Sequence, residues 1–234
     1  MTEHDAAMKS LYPFLYAGES DLGGLLTEAR KSTMDKLAEV TALRRTVGER
    51  EGRRLAECAR AMADRFTAGG RLLAFGNGGS STDAQDLASL FLSPDSTSGG
   101  VPARPLPAFA LTNDIAVITA LSNDVGFDVV FSRQLGAFGR SGDIAVGLTT
   151  SGNSPNLLRA FGEAARRGML TVGIAGYDGG KMAELDCLDY LFVVPSPSVH
   201  RIQEAQTTLY HALWELTVDV LDARAQAAPE QRAE

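Results

Sequence analysis

Two polar, glycine-rich segments carry the residue types best suited to chemistry in this chain. Residues 76–81 read Gly-Asn-Gly-Gly-Ser-Ser, and residues 149–154 read Thr-Thr-Ser-Gly-Asn-Ser. Each segment follows a short apolar run and precedes a helical pattern. A strand–turn–helix unit directs backbone N–H groups and a helix N-terminus at one place, which favours an anion such as phosphate. Because hydroxyl groups crowd both segments, the sequence predicts a phosphorylated small molecule held by Ser and Thr.

Alternating strands and helices are needed to position these turns. The predicted strands are 71–75, 107–111, 143–148, 169–175 and 189–194, and the predicted helices between and after them are 81–92, 114–122, 127–138, 154–167 and 198–224. Strands separated by helices indicate an α/β fold with a parallel sheet and helices on both faces. Right-handed crossovers then place both polar turns at the carboxyl edge of the sheet.

Helical patterns also precede the first predicted strand. Residues 21–47 and 48–67 are predicted as two helices from their apolar spacing. We therefore expect an N-terminal helical arm over 1–45, an α/β domain over 46–224 and a disordered tail over 225–234.

Two further segments have roles that the sequence leaves open. Residues 93–106 are rich in Pro, Gly and Ser, which predicts a mobile loop and a candidate lid. Residues 6–18 form a short apolar cluster that covers a subunit, borders the site or simply packs.

Composition limits the classes of partner and compartment. The net charge of −7 and a pI near 5.1 predict no binding to nucleic acid or to an anionic membrane. No apolar run approaches the ~20 residues that span a bilayer, and the acidic start lacks a signal peptide's basic residues. Cys58 and Cys187 lack metal-type spacing and are expected to be free thiols in a reducing compartment. The sequence thus predicts a cytoplasmic protein.

The first turn departs from two well-known phosphate-binding patterns. Ser81 stands where the dinucleotide-binding pattern has its third Gly, and no Gly-Lys-Ser/Thr follows as in a P-loop. Pairing with the second turn therefore carries the phosphate prediction.

Five segments together resemble the phosphoheptose isomerases of the sugar isomerase (SIS) domain superfamily. They are Gly-Asn-Gly-Gly-Ser-Ser-Thr-Asp-Ala-Gln (76–85), Ser-Asn-Asp (122–124), Thr-Ser-Gly-Asn-Ser (150–154), Gly-Tyr-Asp-Gly-Gly-Lys-Met-Ala (176–183) and Arg-Ile-Gln-Glu (201–204). Their order and spacing match over roughly residues 35–222. The resemblance implies a three-layer α/β sandwich with a five-stranded parallel sheet, a homotetramer, and a sugar-phosphate site formed between subunits.

The resemblance also implies which side chains bind the ligand. The family's phosphate-binding and sugar-binding hydroxyls correspond to serines and threonines of the two turns, and Asn77 would line the same pocket. Either Asn113 or Asp114, after the second strand, is expected to touch sugar hydroxyls. The predicted ligand-binding residues are Asn77, Gly78, Ser80, Asn113, Thr149, Thr150, Ser151, Ser154 and Gln203.

Two positions depart from the family pattern. The family's isomerases have a His and, four residues later, a Glu, where this chain has Asp86 and Leu90. In metal-bound members both residues are zinc ligands, and the Glu is the catalytic base. The family's Gln and His are kept as Gln203 and His211. Because Asp86, Gln203 and His211 are a poor ligand set for zinc, we expect no metal and no other cofactor.

The resulting functional hypothesis is aldose–ketose isomerisation of a phosphorylated sugar, by default a heptose phosphate, through an enediol. This chemistry needs one group to move a carbon-bound proton and another to serve the oxygens. We assign Asp86 as the base and His211 as the acid. The alternative is that Asp86 only forms a hydrogen bond with a neighbouring residue.

Two other functions remain open on the sequence. The lack of a carboxylate at Leu90 favours a non-catalytic tetrameric sensor or adaptor, such as the family's initiator-binding regulator of chromosome replication. The second is an isomerase for a sugar of another length, with the loop at 93–106 setting specificity.

Overall fold

The computed structural model describes residues 22–93 and 104–227. The helices are α1 (Leu22–Thr67), α2 (Gly79–Leu92), α3 (Ile115–Asp124), α4 (Val130–Phe138), α5 (Pro155–Arg166) and α6 (Val199–Ala227). The strands are β1 (Leu72–Gly76), β2 (Ala108–Ala110), β3 (Ile144–Leu148), β4 (Leu170–Gly176) and β5 (Tyr190–Val194). Short 3₁₀ turns occupy Phe127–Val129 and Gly180–Glu184.

The five strands form one parallel sheet in the order β2-β1-β3-β4-β5. Every residue of β1, β3 and β4 is buried, as is typical of parallel strands covered on both faces. The predicted five-stranded parallel α/β sandwich is confirmed.

Two apolar layers fill the space between the sheet and its helices. One layer packs Leu72, Ile144 and Val172 of the sheet with residues from 47 to 66 of α1 and with α2 and α6. The other packs Leu73 and Phe75 with α4 and α5. Alternate side chains of each strand thus serve opposite layers, because successive residues point to opposite faces.

The strand register brings the two polar turns together. β1 and β3 are neighbours, and Gly76 pairs with Leu148 at their carboxyl ends. The chain leaves both strands at the same height and enters α2 and α5, respectively. The predicted location of both turns at one sheet edge is therefore confirmed.

The largest difference from the sequence prediction lies before the sheet. Residues 22–67 form one helix, so the expected break between 47 and 48 is wrong. Gly48 and Gly52 stay helical because a helical Gly costs only about 1 kcal/mol, and buried Val47 and Leu55 anchor this stretch in the core. Contacts divide the chain into two units, with the boundary between Thr41 and Ala42.

Smaller differences occur at element ends. The expected helix 127–138 begins with a 3₁₀ turn before α4 starts at Val130, and α6 continues to Ala227, past the predicted start of the tail at 225. The predictions for 6–18, for 94–103 within the 93–106 loop and for 228–234 lie outside the described residues.

Membrane insertion finds no support in the helices. Among residues 22–93 and 104–227, no helix is both long enough and apolar enough to cross a bilayer.

Replacing Gly147 by Ala should destabilise the sheet. An added Cβ would lie 2.4 Å from Cζ of Phe161 and 2.8 Å from Cε2 of Phe75, so the substitution overpacks β3. We expect a loss of ~1–3 kcal/mol in the free energy of unfolding, measured by denaturant titration. The control is Gly162→Ala, at an exposed position of α5 where nothing lies within 4 Å of the new atom. Equal stability of the Gly147→Ala variant and the wild type would contradict the close packing.

Candidate functional site

The first turn is closely packed and joins β1 to α2. A Cβ on Gly76 would lie 2.4 Å from the carbonyl oxygen of Ser80 and 2.9 Å from that of Leu148, so only Gly fits there. Gly78 has a positive φ of 57°, a conformation that Gly adopts without strain. The Ser80 N–H donates to the Asn77 carbonyl at 3.0 Å, and Ser80 is almost fully buried. These contacts start α2 directly after the strand.

The second turn orders its own hydroxyl groups. Thr149 Oγ1 accepts a hydrogen bond from the Gly152 N–H at 3.3 Å, and Ser151 Oγ accepts one from the Asn153 N–H at 3.2 Å. Gly152 has a φ of 67° and packs so tightly that a Cβ would lie 1.9 Å from the Gly179 carbonyl oxygen. In these contacts each hydroxyl oxygen accepts, so its O–H group can still donate to a ligand oxygen.

A cavity of about 620 Å³ opens beside this turn. Its lining residues are Ser151, Asn153, Tyr177, Asp178, Pro195, Ser196 and Pro197. The volume falls within the range of small-molecule sites in proteins, ~300–1,000 Å³. The second turn therefore borders space that a small polar molecule can occupy.

An amide pair connects the two turns. The side chains of Asn77 and Asn156 donate to each other, with both N–O distances at 2.9 Å. Asn156 is almost fully buried at the start of α5 and also accepts from the Leu157 N–H at 3.1 Å. Asn77 thus fixes the spacing between the turns, a role beyond the predicted lining of a pocket.

Breaking this amide pair should cost stability. Asn77→Ala and Asn156→Ala each leave a partner amide unsatisfied, so we expect a loss of ~1–3 kcal/mol in each single variant. The double variant should lose less than the sum of the two, which a double-mutant cycle in urea unfolding measures. Asn123→Ala is the control, because that exposed amide donates only to the adjacent Asp124 among the described residues. Strict additivity would show that the two amides are uncoupled.

Helix α6 contacts both turns through two glutamines. Gln203 lies against the start of α2, since a Cβ on Gly79 would be 2.1 Å from Gln203 Nε2. Gln206 is fully buried, and its Nε2 donates to the Thr149 carbonyl at 2.8 Å. One helix therefore sets the position of both turns.

Two turns farther along α6, Tyr210 and His211 meet Asp86 of α2. The Tyr210 hydroxyl donates to Asp86 Oδ2 at 2.7 Å, and His211 Nε2 lies 3.5 Å from the same oxygen. Burial, followed by the hydrogen bond to Asp86, raises the pKa of Tyr210 well above its ordinary value. Tyr210 is therefore a hydrogen-bond donor throughout the physiological pH range.

A second carboxyl group lies one turn before Asp86. Asp83 has one carboxyl oxygen buried without a hydrogen-bond partner among the described residues. Burial and the negative charge of Asp86 raise the pKa of Asp83 from 3.8 to about 6. Leu90, one turn after Asp86, packs against the apolar core. The titratable groups of α2 are therefore Asp83 and Asp86, with an apolar side chain beyond them.

Asp83→Asn should stabilise the fold at pH 8. Because the folded-state pKa of Asp83 lies above its unfolded value, the folded state holds the proton more tightly, and stability falls as pH rises from about 4 to about 6. Two pKa units correspond to ~2.7 kcal/mol, and partial solvent exposure reduces the expected gain to ~1 kcal/mol.

The gain from Asp83→Asn should vanish below pH ~4, where both states of the wild type are protonated. Urea unfolding at pH 8 and pH 4 measures it. Asp219→Asn, at an exposed position of α6, controls for simple loss of surface charge. A gain that persists unchanged at pH 4 would contradict the raised pKa.

The predicted site residues do not all have the same surroundings. Ser80 and Gln203 lie at the first turn, Asp86 contacts His211, and the four hydroxyl residues at 149, 150, 151 and 154 share the second turn. Asn113 is exposed after β2, beside Asp114, whose side chain caps α3 by accepting from the Val117 N–H at 3.1 Å.

Three structurally important residues were missed by the sequence reasoning. They are Asn156, Gln206 and Tyr210, which contact Asn77, Thr149 and Asp86, respectively. The only available signal was spacing: Gln206 and Tyr210 lie three and seven residues after Gln203, on the same face of α6.

Comparison with known proteins places these features in a family. The sequence profile of the SIS domain matches residues 37–176. The phosphoheptose isomerase of Desulfovibrio desulfuricans is 47% identical over 176 residues, covering 75% of this chain and 80% of that protein. The phosphoheptose isomerase of Nitratidesulfovibrio vulgaris Hildenborough is 42% identical over 190 residues, covering 81% and 88%, respectively.

Solved structures give the same grouping. The phosphoheptose isomerase GmhA from Neisseria gonorrhoeae superposes with a TM-score of 0.73 at 36% identity, covering 81% of this chain and 99% of that one. The phosphoheptose isomerase from Francisella tularensis gives a TM-score of 0.68 at 31% identity, covering 86% and 100%.

Proposed function

We propose that this chain, which belongs to the SIS domain family and to its phosphoheptose isomerase-like branch, interconverts a ketose phosphate and an aldose phosphate, with a heptose phosphate as the default substrate. One observation carries the proposal. Two hydroxyl-bearing turns meet at the carboxyl edge of the sheet, and α6, which contacts both, also presents His211 to Asp86.

The phosphate group is assigned to the two turns. Backbone N–H groups at the starts of α2 and α5 supply partial positive charge. The hydroxyl oxygens of Thr149 and Ser151 accept backbone N–H groups within the turn. Their O–H groups donate hydrogen bonds to phosphate oxygens. Ser80, Thr150 and Ser154 are proposed to add further donors, with Gln203 beside the sugar.

The proton transfer is assigned to Asp86 and His211. In the ketose-to-aldose direction, Asp86 removes a proton from C1, and the same proton is returned to C2 of the resulting enediol. His211 donates a proton to the oxygen on C2 and accepts one from the oxygen on C1. A carboxylate and an imidazole that meet at 3.5 Å supply both functions without a cofactor.

The side chains at this place do not fit the zinc ion of metal-bound relatives. Asp86 Oδ2, the oxygen nearest His211, already accepts a hydrogen bond from the Tyr210 hydroxyl. The remaining donors would be one imidazole and the Gln203 amide, a weak set for zinc. We therefore assign no step to a metal.

The oligomeric state is proposed from the exposure of this site, and the compartment from the cysteines. The side chains of Asp86 and His211 are 51% and 40% exposed in the single chain, whereas enediol chemistry needs protection from water. We propose a homotetramer in which neighbouring subunits cover the pair. Cys58 and Cys187 are free thiols, which supports a reducing cytoplasm.

One observation favours a non-catalytic sensor or adaptor. Leu90 presents an apolar side chain to the core, so no carboxylate arises from that position. The comparisons give this alternative no support, because the relatives described above are named as isomerases. Binding of a sugar phosphate without turnover would favour it.

The direct test is incubation of the purified protein with sedoheptulose 7-phosphate. We expect an aldose phosphate product, detected by chromatography coupled to mass spectrometry. Asp86→Asn should lower kcat by ~10²–10⁴-fold through loss of the base. Ser151→Ala should instead weaken sugar-phosphate binding by ~1–3 kcal/mol, seen as a higher KM.

Thr46→Ala is the matched control for Ser151→Ala. Thr46 is exposed on α1, where its hydroxyl donates to the Ala42 carbonyl at 3.0 Å, so kinetics should not change. Absence of turnover on heptose, pentose, hexose and octose phosphates would refute the isomerase proposal.

A further inference from the structure

Tyr210 has two different environments at its two ends. The residue is 1% exposed and its ring belongs to the apolar layer beneath the sheet. Its hydroxyl reaches the half-exposed Asp86 carboxylate at 2.7 Å. A buried ring has few alternative rotamers, so the phenol oxygen stays in place. Tyr210 therefore ties a solvent-facing carboxylate to a fixed point of the core.

The bond falls on the oxygen that also faces His211. Nε2 of His211 lies 3.5 Å from Asp86 Oδ2, and the Tyr210 and His211 rings have centroids 5.2 Å apart with an interplanar angle of 31°. No described residue donates to Oδ1 of Asp86. With Oδ2 accepting from the Tyr210 phenol, Oδ1 is the oxygen left to meet a substrate.

We propose that Tyr210 is a positioning residue for the isomerase reaction: its phenol fixes the Asp86 carboxylate beside His211. This inference rests on the proposed function for its catalytic meaning. The hydrogen bond itself can be tested without any turnover.

The test is Tyr210→Phe, which keeps the ring and removes only the phenol oxygen. Because Asp86 is half-exposed, water can replace the lost bond and the fold should persist, as thermal unfolding will show. We expect kcat to fall by ~10-fold or more, since small misplacements of a reacting group are costly. KM should change by less than about twofold, because the phenol does not contact the proposed phosphate-binding turns.

A measurement independent of activity follows the phenolate absorbance of Tyr210 in a pH titration. Asp86→Asn should lower the pKa of Tyr210, because that pKa is raised partly by the hydrogen bond to Asp86. An unchanged Tyr210 pKa would show that the phenol does not hold the Asp86 carboxylate.

The matched control is Tyr190→Phe. Tyr190 lies on β5, where its ring stacks with Phe192 at 6.5 Å between centroids, so loss of its hydroxyl should leave kcat unchanged. An unchanged kcat in Tyr210→Phe together with an unchanged Tyr210 pKa in Asp86→Asn would overturn the role of Tyr210. A wild-type protein without turnover would refute the isomerase proposal instead, so the two failures are distinguishable.

Discussion

The parallel pairing of β1 with β3 is the constraint on which the candidate site depends. Because Gly76 and Leu148 are paired at the ends of these strands, two turns that are 73 residues apart in the sequence emerge side by side. Both strands are buried on both faces, and a one-residue slip would move every side chain of a strand into the opposite apolar layer. The Asn77–Asn156 amide pair then fixes the spacing between the turns.

Helix α6 connects the two turns with the Asp86–His211 pair. Along one face it presents Gln203 to α2, Gln206 to the second turn, and Tyr210 and His211 to Asp86. A single rigid element therefore relates the proposed phosphate cradle to the proposed base. The inner face of α6 is buried, which holds the helix in place against the sheet.

The fold was largely predictable because its signals are local. Strand–helix alternation and the apolar runs of β1, β3 and β4 predict a parallel sheet, and the two turns follow from it. The expected break between residues 47 and 48 was wrong. Burial of Val47 and Leu55 in the core outweighs the modest helix penalty of Gly48 and Gly52.

The sequence predicted the two turns and the meeting of Asp86 with His211, but not the contacts that hold them in place. Ser80, Thr149 and Ser151 stand in recognisable turns, whereas the partners of Asn77, Thr149 and Asp86 come from distant segments. Such contacts depend on helix rotation and side-chain direction, which spacing along the chain does not specify. Tyr210 looked like an ordinary core aromatic for this reason, and only its hydroxyl reveals more.

The ionisation of Asp83 has a consequence for how this protein tolerates acid. Mild acidification removes an unfavourable, partly buried charge and so adds to the stability of the folded state. The contribution of this one side chain therefore favours storage in a slightly acidic rather than an alkaline buffer.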